Sequence, residues 1–318
     1  MRKLFSWGIA AAMAFTFLNA GVSQAATSTS VAPYVDMGEW PTPVLSTMAS
    51  KGNVKSFTLG FVTAAGCKAS WFNAYDPRAG WQKEEIAKIR AAGGDVKVSF
   101  GGASGIELAY YCTTPTTLAN EYDAVVNAYS LKAMDFDIEG AAVADPATIS
   151  RRSQALQILQ SRHSGLKISL TLPVLPSGLD ANGMNVLRAA KNAGVNLDMV
   201  NIMAMDYYQG AGDQGAKAIA AAKATQAQVK SVYGGTDAAA WKKVGVTPML
   251  GVNDSGNEIF LQKDARALVS FAQSVHLGML SFWEEGRDAN ACNGALYRCT
   301  NVSQQPYEFT KIFAGFNG

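Results

Sequence analysis

A closed (β/α)8 TIM barrel is the fold that this sequence predicts, and three observations lead there. Eight short apolar runs alternate with seven longer stretches in which apolar residues recur three and four apart. Strands separated by helices pair in parallel, and eight such units within 318 residues suit a sheet that closes on itself. The chemically conspicuous residues gather at the carboxyl ends of the runs, the face on which such barrels build their sites. An open doubly wound sheet is the competing arrangement. Its mark is a glycine-rich turn opening the first helix, whereas the first run here leads into Gly38-Glu39-Trp40-Pro41.

In chain order, the strand runs cover residues 31–37, 56–64, 96–101, 133–139, 167–174, 199–206, 247–252 and 278–283. The helical stretches cover 42–50, 82–92, 115–130, 146–162, 181–193, 215–232 and 264–275. Pro115 and Pro146 stand where proline suits a first helical turn, because the missing N–H has no partner there anyway. Gly93-Gly94, Gly165 and Gly194 stand where helices end. The third run closes on Ser99-Phe100-Gly101-Gly102, the fourth on Glu139-Gly140 and the sixth on Met203-Ala204-Met205-Asp206-Tyr207-Tyr208. The seventh closes on Asn253-Asp254 and the eighth on Phe282-Trp283-Glu284.

Ahead of this domain, Arg2 and Lys3 precede an apolar run over residues 8–18, and Ser23-Gln24-Ala25 fits a small-x-small cleavage pattern. That predicts a signal peptide over residues 1–25 and export; the run is short for a membrane span. Residues 26–318 carry no linker or low-complexity tract and are expected to form one catalytic domain, secreted, monomeric and without stable membrane association. Loss of Arg2 and Lys3 takes the formal charge from +2 to zero, which suits a neutral ligand. No basic patch points to nucleic acid.

Cys67, Cys112, Cys292 and Cys299 are an even set, which in an exported chain favours disulfides. Of three possible pairings, the favoured one joins Cys67 to Cys112, tying the loops after Thr63 and Gly102, and leaves Cys292–Cys299 to close a small loop. His163 and His276 lie far from any Cys-x-x-Cys spacing, fall on predicted helices and are read as structural.

The stretch with the most chemistry is Ala133-Met134-Asp135-Phe136-Asp137-Ile138-Glu139-Gly140. Strand side chains alternate with period two, so the three acids share one face and Met134, Phe136 and Ile138 the other. Three like charges on a buried face cost desolvation and repulsion and bring folding no benefit, so their place is chemical. Packed this closely they cannot all ionise. Glu139, nearest the open end, can then hold a proton for a leaving oxygen while Asp137 opposes a developing positive charge. Acids at strand ends also serve metals, but no histidine accompanies them, and neither metal nor cofactor is expected.

Asp135-x-Asp137-x-Glu139 resembles the acidic signature of glycoside hydrolase family 18, the chitinases and their relatives. Ser99-x-Gly101-Gly102 resembles the family's other short motif on the preceding strand. Residues 201–207 resemble its Met-rich sixth strand, and 278–283 its eighth, which ends in tryptophan. The resemblance implies a substrate-assisted retaining mechanism on chitin or other N-acetylglucosamine oligomers. Glu139 would be acid and then base, Asp137 would orient the N-acetyl group, and Asp135 would tune Asp137 from below. Trp283 would be the floor under the sugar. Asp206, Tyr207 and Met203 are the further candidates for substrate contact.

Two positions depart from the pattern. Lys132 stands where the signature often begins with another aspartate, which implies an altered support shell deeper in the strand. Met205 stands where many members carry a tyrosine for the N-acetyl oxygen, leaving that role to Tyr207, to another group or unfilled. Trp40, Trp71 and Tyr208 are either cleft aromatics or loop packing. Ser99, Gly101 and Gly102 are read as shaping the backbone under the site, and Asn253 and Asp254 as lining the cleft or capping a loop. An endo-β-N-acetylglucosaminidase shares the acidic motif; a sugar-binding relative without catalysis would be expected to lack Glu139.

Overall fold

The structure, a computed structural model, describes Met1 and residues 30–318. The expected signal peptide over residues 1–25 lies outside the described stretch apart from Met1.

Eight parallel strands form the barrel, each beside its chain neighbour. They are β1 (Tyr34–Asp36), β2 (Ser56–Ala64), β3 (Asp95–Gly101), β4 (Ala133–Asp137), β5 (Lys167–Pro173), β6 (Leu197–Met203), β7 (Val244–Thr247) and β8 (Met279–Leu280). A parallel bridge between Val31 and Leu280 joins the last strand to the first. The Ala32 N–H donates to the Leu280 carbonyl at 3.0 Å and the Leu280 N–H to that of Ser30 at 2.8 Å, so the sheet closes.

Around it lie α1 (Leu45–Gly52), α2 (Lys83–Ala91), α3 (Pro115–Tyr129), α4 (Pro146–Arg162), α5 (Ala181–Asn192), α6 (Gln214–Tyr233), α7 (Gln262–Val275) and α8 (Glu308–Phe313). Pro115 and Pro146 do open helices. Thr114 and Thr117 form a capping box at the first, and the Asp145 carboxylate accepts from the N–H groups of Ala147 and Thr148 at the second.

Strand register decides what faces inward. Ser99 pairs with Asp135, and Asp135 with Ser169, across β3, β4 and β5. The next row, Phe100, Phe136 and Leu170, faces the helices. There Phe100 stacks on Phe136 at 5.3 Å, and Tyr122 of α3 meets both rings edge-on. Burying side chains of this size stabilises the fold by about 1.5–3 kcal/mol each.

Gly101 lies opposite Asp137 with φ +102°, and a Cβ there would fall 2.1 Å from the Asp137 carbonyl oxygen. Only glycine lets β3 approach β4 this closely at the mouth.

The seventh strand is not where the sequence reading put it. The barrel strand is Val244–Thr247, while Gly251–Val252 pairs antiparallel with Ile259–Phe260 in a hairpin of the following loop. Pro248 has no N–H to continue the ladder with β6, so the strand stops before it. The fourth and sixth strands end at Asp137 and Met203, short of the expected Glu139 and Asp206. A short strand, Ala69–Trp71, folds back antiparallel on β2. It carries Trp71 into the core, where the ring is fully buried and its indole N–H donates to the Tyr129 hydroxyl at 2.8 Å. Trp71 is therefore no cleft aromatic. Lys132 takes no part in the acid face. Its side chain is 79% exposed and nearest Asp95, outside the barrel interior, so it lends the acids no support. Both disulfides take the favoured pairing, Cys67–Cys112 and Cys292–Cys299.

Candidate active site

Asp135 is fully buried and is met by hydroxyls from three other strands. Its Oδ2 accepts from Tyr34 of β1 and from Ser99 of β3, each at 2.7 Å. Its Oδ1 accepts from Ser169 of β5 and, at 2.9 Å, from Thr171 of the same strand. Asn201 fixes the direction of the last bond. Its amide oxygen accepts from Thr247 at 2.8 Å, so its amide nitrogen donates to Thr171 at 3.0 Å and the Thr171 proton is left for Asp135. This donor set matches a carboxylate, which only accepts. Ser99 thus acts through its hydroxyl as well as through the backbone it shapes.

Asp137 follows one layer up. It is 6% exposed, and its Oδ1 is buried without a protein partner. Burial, then the charges of Glu139 and Asp135, push its carboxyl well above the ordinary range. Glu139 lies two residues past Asp137, and its backbone stays extended at φ −137°, ψ −180°. Alternation therefore carries one step beyond the strand and keeps Glu139 on the face of Asp137. Glu139 is half-buried, and burial followed by the charges of Asp206 and Asp254 lifts its carboxyl to about 7. At neutral pH this pair of acids retains a proton, and the outer one can deliver it.

The loops after β6 and β7 supply the charges above Glu139. Asp206 is half-buried; its Oδ1 accepts from the Ser255 N–H at 2.9 Å, and its own N–H donates to the Asn253 amide oxygen at 3.3 Å. The Asn253 amide nitrogen donates to the carbonyls of Met249 and Gly251, so Asn253 is a loop cap, while Asp254 is exposed. Buried Glu258 accepts from the N–H groups of Tyr207 at 2.7 Å and Gln209 at 3.0 Å and locks the two loops together. Arg287, buried behind them, faces the charges of Glu284, Asp254 and Asp206, and burial draws it down to about 10.

Trp283 is half-buried beside the column, stacked on Phe61 at 5.6 Å and tilted against Tyr34 at 5.9 Å. Met203 and Met205 are half-buried at the end of β6. Tyr207 is 4% exposed within the apolar core; its hydroxyl has no protein partner, and burial, then Glu258, raises it far above its ordinary value. Trp40 and Tyr208 stand out into solvent on the loops after β1 and β6. Among the described residues no group of three His, Cys, Asp or Glu side chains is arranged to hold a metal ion.

Sequence reading did not single out Tyr34, Phe61, Ser169, Thr171 or Glu258. The available signal for Ser169 and Thr171 was a polar residue at every second place in an apolar strand, which marks an inward polar face once the neighbouring register is known.

No family model matches the chain. It is 38% identical over 305 residues to a probable bifunctional chitinase/lysozyme of Escherichia coli, covering 90% of this chain and 34% of that protein. The chain thus spans about a third of that relative's length. Its structure is similar to the catalytic domain of a hyperthermophilic chitinase from Pyrococcus furiosus, with a TM-score of 0.84 and 31% identity over 91% of this chain and 95% of that one. Catalytic-site mutants of that enzyme's active domain are known complexed with chito-oligosaccharides. A GH18 chitinase from Pseudoalteromonas aurantia, 15% identical over 80% of this chain and 93% of its own, shares the fold with a TM-score of 0.61. With the barrel, the acidic strand and these likenesses together, the chain belongs to glycoside hydrolase family 18.

Proposed function

We propose that this chain is a secreted chitinase that cuts β-1,4-linked N-acetylglucosamine chains with retention, using the substrate's own N-acetyl group as nucleophile. The observation that carries the reading is the acid column. Asp135 is saturated by hydroxyls, Asp137 keeps one buried oxygen unpaired, and Glu139 holds a proton near neutrality at the open end. In this reading Glu139 passes its proton to the leaving glycosidic oxygen as the N-acetyl oxygen bonds to the anomeric carbon and the C–O bond breaks. Asp137 turns its unpaired oxygen to the amide N–H and balances the charge of the oxazolinium ion. Water then attacks the anomeric carbon, gives its proton to Glu139 and releases the N-acetyl group.

The sugar stacks on Trp283, whose apolar face suits the C–H face of a pyranose. Asp206 and Met203 complete the contacts, whereas Tyr207, expected to join them, is packed in the core, and Met205 leaves the amide oxygen without the family's usual tyrosine donor. The relatives' names point to chitin as the polymer. Export rests on the leader, and a single chain is the working unit.

The test is Glu139→Gln assayed on soluble chito-oligosaccharides. Turnover should fall by about 10²–10⁴-fold while binding persists. Binding by wild type with no product at any pH would make this a lectin.

A further inference from the structure

We propose that Lys97 is a positioning residue that supplies the counter-charge for Asp135 from the layer beneath it, and so keeps the mobile proton of the column on Asp137 and Glu139. This rests on the enzymatic reading of those acids. Lys97 lies two residues before Ser99 on β3, so alternation turns both into the barrel. Ser99 touches Asp135, and Lys97 is one step below that contact. The side chain crosses the floor to β8, where its Nζ lies 3.0 Å from the Met279 thioether.

A thioether is a weak acceptor, and among the described residues no carboxylate comes within 4 Å of this ammonium. Buried Thr58 of β2 lies beside it in register, and Ala32, Met199 and Met279 form a small apolar cluster on the floor. A methionine or leucine would pack there without the cost of half-burying a charge. A lysine that merely plugged a barrel end would send its ammonium out to water; this one lays it on the Met279 thioether.

The charged and titratable groups around it come from several strands. Burial draws its ammonium down, while Asp135 and then Asp198 of β6 push it up and Lys167 of β5 opposes them. Around Asp135 itself stand Tyr34 of β1, Asp137 and, further out, Glu139. Within this set Lys97 is the cation that faces Asp135 from inside the barrel, and the hydroxyls that meet Asp135 carry no charge. Without it the three acids would share two protons more readily, and Asp137 would spend less time charged when the oxazolinium ion forms.

The test compares wild type with Lys97→Met, Lys97→Gln and Lys97→Arg on soluble chitotetraose across pH. In the two neutral variants the acid limb of kcat/KM should move up by about half to one pH unit. At pH 5 kcat should fall about three- to tenfold with KM within about twofold. Lys97→Arg should keep the wild-type profile. An unmoved acid limb in folded Lys97→Met or Lys97→Gln overturns the proposal, as does a shift in Lys97→Arg. Failure of both neutral variants to fold also overturns it, because the charge would then serve folding rather than the site. If wild type itself turns over no oligosaccharide, the enzymatic reading fails separately. A ¹³C NMR titration of the Asp135 carboxyl then decides: a rise in Lys97→Gln supports the charge coupling, and no change refutes it.

Discussion

In the proposed mechanism Asp135 anchors the acid column, although it is the acid farthest from the opening. Its place on the acidic face was legible in the sequence, since period two on one strand needs no partner. The hydroxyls that surround it were not, because Tyr34, Ser99, Ser169 and Thr171 come from three other strands and meet only through register. Each donates to a buried charge, a bond worth about 1.5–3 kcal/mol. Ser99→Ala and Tyr34→Phe should therefore each lower kcat about tenfold or more and leave KM near wild type, read from steady-state kinetics on chito-oligosaccharides. A change confined to KM would place these hydroxyls at the substrate instead. Trp71 carries the opposite lesson. An aromatic on a loop and an aromatic on a fold-back strand look alike in sequence, and only the antiparallel pairing with β2 sends this one into the core.

At the scale of elements, the strand-and-helix alternation was legible and the exact strand ends were not. Apart from Thr247, residues 244–252 carry no polar side chain, so periodicity alone does not choose between two registers for the seventh strand. Pro248 does, because it ends the ladder that Val244–Thr247 makes with β6. The mouth of β3 is the element most sensitive to a single methyl group. In Gly101→Ala the new Cβ would meet the Asp137 carbonyl at 2.1 Å in a conformation that alanine resists. Either β3 moves off β4 or the acid strand shifts. A loss of about 3 kcal/mol or more in urea unfolding is expected, with activity lost in whatever remains folded. Gly66 has φ +60° but open space where a Cβ would go, so Gly66→Ala should cost only about 1 kcal/mol and serves as the control.

For the whole molecule, the unusual feature is the number of acids kept inside. Besides the column, burial followed by Glu39 lifts Glu284 to about 8, while Glu285 and Asp288 beneath α8 are also raised, by burial first. A carboxyl whose folded value lies above its unfolded one binds its proton more tightly when folded. Its contribution to stability is complete below the unfolded value, near 4, and drains away as pH climbs through the folded value. Stability to urea should accordingly fall between about pH 4 and pH 8 and level off above that, and Glu284→Gln should flatten that fall. No change across this range would mean the buried acids find partners on ionising.

The same raised values set the working pH of the proposed enzyme. Glu139 acts as a proton donor only while it is protonated, and burial with Asp206 and Asp254 above it lifts its carboxyl to about 7. The measurement to make is the alkaline limb of kcat/KM on a soluble chito-oligosaccharide, in wild type and in Asp206→Asn. Activity should decline through about pH 7 in wild type, and at lower pH in the variant, where one of the charges that raises Glu139 is gone. An alkaline limb that stays in place when Asp206 is neutralised, or that appears where an ordinary glutamate titrates, would contradict the role given to Glu139.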